Sequence, residues 1–527
     1  MSMPWHLLIA VIIAIVAVTY SYDQSILLAA LGLMPCRPSC QSAASSTHSD
    51  YPGHDCAEKP HHSSWTTWFH PDTGDVTAAN SGLGAGAVTK DWNILYHLGG
   101  NGPWVEKVID VVDGGIKLPN GCEVEQVHMM SRHAERYPTM KAGSTQKAVV
   151  HRMKESGRVF TGNLAFFNDW ELFWSSDDTH LEQLTSTGIF AGTLSSFTTG
   201  VRLRTRYQHL LERTSLEKHP TKFWASDSNR VIETAKHFAA GFFGIDYNIT
   251  NKAILQVISE HSSLGADTLT PGRTCLANKK DEMEGQRKGY RLLNEYRASY
   301  MPAIRERLAK QTDMYFEDHE IYAMQEMCGF EITVRGRSDW CDVFTQDEFL
   351  SFEYARDVLH YYRAGPGQKY AASMGWLWLN ATTNLLVEGP DAGPLFFSFN
   401  HDGDIAPLMC ALDVINDEEH LPITHIAHDR KWRKSQVSPM HGRIIFELLS
   451  CKTDTQSSPG KFVRLNINDG ITAIPGCDSG PGKSCPLAEF AARTRKRGEE
   501  VGNFNELCGL DGDAAERITF LHQKREV

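Results

Sequence analysis

The sequence lacks several features by which common classes of protein are recognised. It has no long run rich in Lys and Arg, and its 52 basic and 64 acidic residues give a formal net charge of −12, which argues against a nucleic-acid partner. It has no CxxC pair that would indicate zinc binding or dithiol redox chemistry. No internal repeat is visible. We therefore expect no nucleic acid, no metal and no cofactor to take part in its function.

The N-terminal region lacks an apolar run long enough to cross a bilayer. Its longest run, Leu7 to Val18, has twelve residues, whereas a transmembrane helix needs about 20. We interpret residues 1–21 as a secretory signal peptide. Only His6 and the terminal amine supply positive charge before this run, and a second apolar patch covers Ile26 to Met34, so a type II membrane anchor stays an alternative.

Residues 22–65 have little hydrophobic periodicity and are rich in Ser, His, Pro and Asp. This composition predicts a disordered linker, because it cannot bury enough apolar surface to become ordered. The histidines of this tract are too scattered to indicate a metal site, and we interpret them as solvated: His48, His54, His61 and His62.

The twelve cysteines fit a secreted protein, because lasting disulfides need an oxidising compartment. Cys36, Cys40 and Cys56 precede the globular region, which leaves nine cysteines, so at least one of these has no partner within the region. Cys410 lies in an apolar run and is the natural candidate for a buried thiol. Export would also allow glycosylation at the two Asn-X-Thr sites. These sites are at Asn248 and Asn380.

The first candidate functional cluster follows a predicted strand. Apolar and polar residues alternate from Val124 to Met129, and the segment Arg132-His133-Ala134-Glu135-Arg136-Tyr137-Pro138 comes next. Open α/β sheets bind ligands at the carboxyl ends of their strands. Two guanidinium groups this close suit an anion with several oxygens, most commonly phosphate. A solvated basic turn is the alternative for this segment taken alone.

Two further clusters occupy equivalent positions. The segment 222–226 reads as a short strand, and Arg230 follows it at the start of a predicted helix, where free N–H groups and the helix dipole favour anions. A structural ion pair with Glu233 is the alternative for this arginine. The apolar run 394–399 predicts a strand buried on both faces of a parallel sheet. His401 and Asp402 follow it, and the alternative there is helix capping by Asp402 or Asp404.

Together these clusters resemble the RHxxRxP and His-Asp signatures of the histidine acid phosphatases, in particular the branch of fungal acid phosphatases and phytases. The resemblance covers roughly residues 92–508, and it departs from the family at Ala134, where most members have Gly. It implies an α/β fold with a mostly parallel sheet, flanking helices and a smaller helical cap. We expect the bilobal domain to span 66–527. Its parts are an α/β core at about 85–140, 219–265 and 371–527 and a cap at about 141–218 and 266–370.

The resemblance also implies roles for individual residues. His133 would attack phosphorus to give a phosphohistidine, and Asp402 would protonate the leaving group. The phosphate-binding residues would be Arg132, Arg136, Arg230 and His401. We interpret Glu135 as structural, paired with a nearby cation. The implied disulfides are Cys122–Cys451, Cys275–Cys508, Cys328–Cys341 and Cys477–Cys485.

We therefore predict a secreted phosphomonoesterase of broad specificity that hydrolyses small phosphate monoesters, including phytate, at acidic pH. Phytases that resemble this chain carry lysines where it has Ala142 and Thr145, although Lys141 is adjacent. A specialised 3-phytase stays an alternative, and so does a surface protein that binds phosphate without hydrolysing it; a phosphomutase is a weaker one. Members of the acid phosphatase branch can assemble, so a homo-oligomer stays open.

Overall fold

The structure is a computed structural model that describes residues 92–175, 177–214, 219–452 and 459–524. The predicted signal peptide or anchor, the predicted linker with its histidines, and Cys36, Cys40 and Cys56 lie outside the described residues.

The strands follow the sequence pattern closely around the predicted functional clusters. They are β1 Cys122–Arg132, β2 Thr221–Ser226, β3 Ala253–Ile258, β4 Leu395–Asn400, β5 Arg443–Cys451, β6 Gly460–Ile467, β7 Gly470–Thr472 and β8 Cys485–Pro486. β1 extends three residues beyond Met129, the last residue of the predicted strand, so Arg132 is the final residue of β1 and His133 directly follows it. Every residue of β4 is buried, as its continuous apolar run predicts.

These strands form one mixed sheet in the order β3-β2-β4-β1-β5-β6-β7, and β8 pairs with β6. The neighbours β3, β2, β4 and β1 run parallel, whereas β5 to β8 pair antiparallel. Arg132 lies opposite Asn400, and Ala225 lies opposite Phe399. The carboxyl ends of β1, β2 and β4 therefore meet at one edge of the sheet, where all three predicted clusters begin.

Helices surround the sheet and supply the cap. They are α1 Met140–Glu155, α2 Gly192–Arg206, α3 Gln208–Thr214, α4 Asn229–Phe243, α5 Pro271–Thr274, α6 Leu276–Lys280, α7 Arg287–Thr312, α8 Asp318–Arg335, α9 Gln346–Ala364, α10 Ala371–Glu388, α11 Asp402–Leu412, α12 Lys434–Val437, α13 Leu487–Val501 and α14 Phe504–Cys508. Short 3₁₀ turns occupy Ile94–His97, Gly162–Asn168, Ser262–Leu264, Asp339–Val343, Gly389–Ala392 and Pro481–Lys483.

One face of the sheet is covered by α2 and α4. Phe238 and Phe242 of α4 pack against Phe397 of β4, and Leu203 of α2 joins the same apolar cluster. Burial of such side chains drives this packing, at about 25 cal/mol for each Å² of apolar surface. The segment 192–214 was expected in the cap, but its apolar side chains pack with the sheet residues instead. Sequence periodicity shows that a helix has an apolar face, but it does not show which partner covers that face.

A second apolar cluster continues from the other face of the sheet into the cap. Phe396 and Phe446 of the sheet belong to it, together with buried residues of α7, α8, α9 and α10. The start of α9 is fixed by a capping box in which Thr345 and Glu348 exchange side-chain to backbone hydrogen bonds. From Phe352 to Ala364 almost every residue of α9 is buried, so the polar side chains of this part must find partners inside the protein.

The four implied disulfides are confirmed, and Cys410 is a buried free thiol among the described cysteines. Asn248 is exposed in a turn, whereas Asn380 is half-buried within α10. Within the described ranges, no helix combines the length and the apolar character needed to span a bilayer.

Candidate active site

A cavity of about 760 Å³ opens at the carboxyl ends of β1, β2 and β4. All six predicted catalytic and phosphate-binding side chains line it: Arg132, His133, Arg136, Arg230, His401 and Asp402. The sheet topology explains this convergence, because parallel strands bring their carboxyl ends to one edge. The structure thus brings together residues that lie up to 270 positions apart in the sequence, from Arg132 to Asp402.

His133 is held by the backbone directly after β1. Its N–H donates to Asn400 O (2.9 Å), and its carbonyl accepts from His441 N (2.9 Å). The ring Nδ1 lies 2.9 Å from Ala134 O. Because a carbonyl oxygen only accepts, Nδ1 carries the proton in this contact, which leaves an unprotonated Nε2 in the neutral ring.

The surroundings of His133 keep its ring neutral. Burial lowers the pKa of His133 well below its usual value, and the positive charges of Arg132, Arg136 and Arg230 lower it further. An unprotonated imidazole therefore persists when the solution is acidic.

Ala134, where most relatives were expected to have Gly, fits without strain. Its side chain is fully buried, it has an ordinary negative φ, and its N–H donates to Thr234 Oγ1 (2.9 Å). The added methyl group therefore leaves the path of the backbone around His133 intact.

The three arginines present a set of buried donors to the cavity. Arg132 Nη1 donates to Gly100 O (3.0 Å) and Ser438 O (2.9 Å), and Arg136 Nη1 donates to Tyr137 O (2.8 Å). Among the residues that the structure describes, no acceptor contacts the buried Nε of Arg132, Arg136 or Arg230. Buried donors without acceptors cost free energy, and the oxygens of a bound phosphate would satisfy them.

Arg230 begins the first turn of α4, as the sequence predicted. Its carboxylate neighbour is Glu182 (Nη1 to Oε2, 3.7 Å) rather than Glu233, which pairs with Lys236 instead. The alternative assignment of Arg230 to a Glu233 ion pair is therefore wrong.

His401 is held by a carboxylate that the sequence analysis missed. Its Nε2 lies 2.7 Å from Glu260 Oε1, and its ring centroid is 5.8 Å from that of His133. Burial lowers the pKa of His401, but the hydrogen bond and charge of Glu260 oppose this effect. Glu260 therefore favours the protonated His401 that an anion would require as a donor.

Asp402 is the first residue of α11, and three basic side chains surround one of its oxygens. Oδ2 lies 3.2 Å from Lys434 Nζ, 3.5 Å from Arg132 Nη2 and 3.9 Å from His360 Nδ1. Burial alone would raise the pKa of Asp402, but the nearby charges, led by Arg132 and Lys434, lower it well below its usual value. These charges therefore favour the ionised form of Asp402.

The capping role at this helix falls to Asp404 instead. Asp404 Oδ2 accepts from His401 N (3.3 Å), which leaves the side chain of Asp402 available to the cavity.

Glu135 is buried behind the site. Its Oε1 accepts from Trp104 N (2.9 Å), a backbone donor where the sequence analysis expected a cation. Burial raises its pKa, and Arg443 supplies a nearby positive charge that opposes the rise. Its position is consistent with a structural role.

Several cavity residues carried no sequence signal. Arg273, Arg356, His360 and Arg363 line the cavity, while Glu260 and Lys434 contact His401 and Asp402 from behind its lining. Most come from the cap helices or from loops remote in sequence, and none belongs to a recognisable motif.

The fold and the site define a phosphate-binding α/β enzyme, and comparison with known proteins identifies its family. Residues 123–468 match the model of the Histidine phosphatase superfamily (branch 2). The chain therefore belongs to this superfamily.

Similar proteins cover most of the chain. A phytase from Candida albicans is 32% identical over 445 residues, which are 84% of this chain and 92% of the relative. An acid phosphatase from Komagataella pastoris is 32% identical over 437 residues, 80% of this chain and 88% of the relative. The crystal structure of a phytase from D. castellii superposes with a TM-score of 0.75 at 29% identity, covering 84% of this chain and 93% of that chain.

Proposed function

We propose that the protein hydrolyses phosphate monoesters at acidic pH through a covalent phosphohistidine. The observation that carries this proposal is a neutral His133, with Nε2 unprotonated, among three cavity-lining arginines whose buried Nε–H groups have no acceptor in the described structure. A phosphate monoester supplies both the acceptor oxygens and the electrophilic phosphorus that this arrangement suits.

The first step transfers the phosphoryl group to His133. The Nε2 lone pair forms a bond to phosphorus while the bond from phosphorus to the ester oxygen breaks. The electron pair of that bond goes to the leaving oxygen, which takes a proton from Asp402, so an alcohol departs. Arg132, Arg136 and Arg230 bind the non-bridging oxygens, with His401 as a further donor, and stabilise the charge of the transition state.

Asp402 must carry a proton for this step, although the charges of Arg132 and Lys434 favour its ionised form. A bound phosphate adds negative charge beside Arg132 and thereby raises the pKa of Asp402. At acidic pH the substrate monoanion also brings a proton into the cavity. In the second step Asp402 accepts a proton from water, the water oxygen bonds to phosphorus, and the bond to His133 breaks to release inorganic phosphate.

The outer part of the cavity supports acceptance of large, highly charged substrates such as phytate. Lys141 Nζ lies 5.7 Å from the ring centroid of Tyr290 at the cavity wall, beside Ala142 and Thr145, where phytases of the family were expected to have lysines. Further cationic side chains line the same cavity: Arg273, Lys279, Arg297 and Arg363. Such a lining favours substrates with several phosphates. We therefore propose broad specificity that includes phytate, with a specialised 3-phytase as the alternative.

We propose that the protein is exported to the cell exterior or cell wall. The four disulfides of the described residues support this location, because such bonds persist in oxidising compartments. Small phosphate monoesters are the proposed partners, while assembly into a homo-oligomer stays a prediction.

The decisive experiment measures hydrolysis of p-nitrophenyl phosphate and phytate from pH 3 to 7 in the presence of EDTA. We expect hydrolysis by the wild type and none above background by His133→Ala. Asp402→Asn should lose about 10²- to 10⁴-fold in kcat on phytate, and less on p-nitrophenyl phosphate, whose leaving group needs no proton.

His425→Ala, which changes an exposed histidine outside the cavity, serves as the matched control and should keep wild-type rates. A wild type that binds phosphate but releases none would favour the non-catalytic phosphate-binding alternative and contradict the proposal.

A further inference from the structure

Lys434 is a fully buried lysine that the proposed mechanism does not use. Its side chain has no solvent exposure. Its Nζ donates to Ser438 O (2.7 Å) and Ser438 Oγ (2.8 Å), and lies 3.2 Å from Asp402 Oδ2. Lysine is seldom fully buried, because the ammonium loses its hydration. The contact with Asp402 explains how this burial is tolerated.

The contacts around Asp402 are unequal at its two oxygens. Lys434, Arg132 and His360 all approach Oδ2. This convergence on Oδ2 restricts the rotation of the carboxylate. Proton donation needs this kind of fixed geometry, because the acid must lie within hydrogen-bond reach of the departing oxygen.

We propose that Lys434 is a positioning residue for the proton donor: its ammonium holds Asp402 Oδ2 and sets the pH range in which Asp402 carries its proton. The inference rests on the proposed function, since it assigns Lys434 a part in the same reaction. Lys434 touches no reacting atom in this scheme and acts only through Asp402.

Other charged groups face this pair from the surrounding elements. From β1, α9, α11 and the loop after β3 they are Arg132, Arg356, His360, Arg363, Asp404 and Glu260. The arginines keep their charge throughout the acidic range. Burial and the charges of Lys434 and Arg356 lower the pKa of His360 well below its usual value, so His360 adds no charge.

The two charged groups that contact Asp402 Oδ2 are Arg132 and Lys434. Because Arg132 is also a proposed phosphate-binding residue, only Lys434 can be substituted without removing a group that binds phosphate. Burial lowers the pKa of Lys434, and Asp402 opposes this effect. The negative carboxylate thus favours the protonated amine at acidic pH.

The test is the pH dependence of kcat for Lys434→Met on an alkyl phosphate, glycerol 2-phosphate. Asp402 must be protonated in the substrate complex, so kcat falls as pH rises through its pKa. Loss of the ammonium raises the pKa of Asp402. We therefore expect the alkaline limb of the kcat–pH profile to shift to higher pH by about 1 pH unit, the low end of the effect of an adjacent opposite charge.

Ser438→Ala is the matched control, because it removes one hydrogen bond of the ammonium but keeps its charge. Its alkaline limb should stay at the wild-type pH. A purely structural role for Lys434 would lower thermal stability or kcat without moving the limb.

A folded Lys434→Met enzyme with an unmoved limb would overturn the inference. Lys434→Gln provides a second variant that keeps a donor toward Ser438. If neither variant folds, the pKa of the Asp402 carboxyl is measured in the wild type by a ¹³C NMR titration. An ordinary aspartate pKa in the free enzyme contradicts the inference, and a strongly lowered pKa supports it. A wild type without hydrolysis would instead refute the proposed function itself.

Discussion

At the scale of single residues, the site works by controlling where protons reside. His133 donates from Nδ1 to a backbone carbonyl, and the guanidinium groups around it disfavour a second proton. Asp402 is ionised beside Lys434 and Arg132 until phosphate arrives. In the proposed mechanism, the same positive charges thus keep Nε2 of His133 unprotonated and bind the anion whose charge favours protonation of Asp402.

This arrangement predicts the effect of removing one arginine charge. In Arg136→Gln the pKa of His133 rises, because one of the charges that lower it is gone. Protonation then removes the nucleophile at a higher pH, so the acidic limb of kcat/KM should move toward neutrality. The rate should also fall by about 10- to 100-fold, the equivalent of one charge-assisted hydrogen bond of 1.5–3 kcal/mol.

The measurement is kcat/KM for p-nitrophenyl phosphate between pH 2 and 6. Arg158→Gln, an exposed arginine paired with Asp313, removes the same charge far from the cavity and should leave the limb in place. An acidic limb that is identical in wild type and Arg136→Gln would show that Arg136 does not control the protonation of His133.

At the scale of secondary-structure elements, glycines let two helices approach closely beneath the site. A Cβ added to Gly200 of α2 would overlap Phe238 O of α4, and a Cβ added to Gly241 of α4 would overlap Phe197 O of α2. The contact is reciprocal, and α4 begins with the turn that carries Arg230. The spacing of these helices therefore supports the position of Arg230, a proposed phosphate-binding residue.

Gly200→Ala should destabilise the protein by about 1–3 kcal/mol, the usual cost of overpacking a tight contact. The overlap is with backbone atoms, which cannot rotate away as a side chain could. Urea unfolding measures the change.

Gly512→Ala is the control for Gly200→Ala, because a Cβ added at Gly512 meets no atom within 4 Å. It should change the unfolding free energy by less than about 0.5 kcal/mol. Equal stabilities for the two variants would mean that α2 and α4 separate without cost.

At the scale of the whole molecule, ion pairs of a buried carboxylate contribute to the stability of the fold, and this contribution depends on pH. Glu447 of β5 accepts from Tyr207 OH (2.6 Å), Arg206 Nη2 (2.7 Å) and Arg464 Nε (2.7 Å), so it connects α2, the residue after it and β6. Burial raises its pKa, but the charges of Arg206 and Arg464 dominate and lower the pKa of Glu447 to about 2.

A lowered pKa gives a definite pH dependence of stability. The contribution of Glu447 is complete above the ordinary glutamate pKa of about 4.5 and is lost as pH falls from there toward about 2. Glu447→Gln should lower the unfolding free energy at pH 7 by about 3–5 kcal/mol, because the buried Arg464 and the half-buried Arg206 lose their carboxylate. The difference from wild type should shrink between pH 4.5 and 2.

Urea unfolding at pH 7, 4.5 and 3 checks this expectation. Glu123→Gln, an exposed carboxylate on the adjacent strand β1, should show almost no difference at any pH. A deficit in Glu447→Gln that stays constant from pH 7 to pH 3 would argue against the lowered pKa.

The sequence by itself determined the functional core of the site. His133, Arg230 and Asp402 were each recognised because a strand pattern ended just before them, and strand periodicity is a local property of the chain. Parallel pairing then brings strand ends together by a general rule, so their convergence followed from the pattern. The family was predicted from the resemblance of these clusters to its signatures, that resemblance implied the class of fold, and both are confirmed.

Only the tertiary structure decided what surrounds that core. Lys434 and Glu260 contact Asp402 and His401 from remote parts of the chain, and neither lies in a pattern that marks it. The helices of 192–214 have apolar faces in the sequence, but their packing on the sheet depends on which surface they meet. Burial and charge act through space rather than along the sequence. Only the folded chain therefore determines which oxygen of Asp402 contacts the basic groups and which nitrogen of His133 is unprotonated.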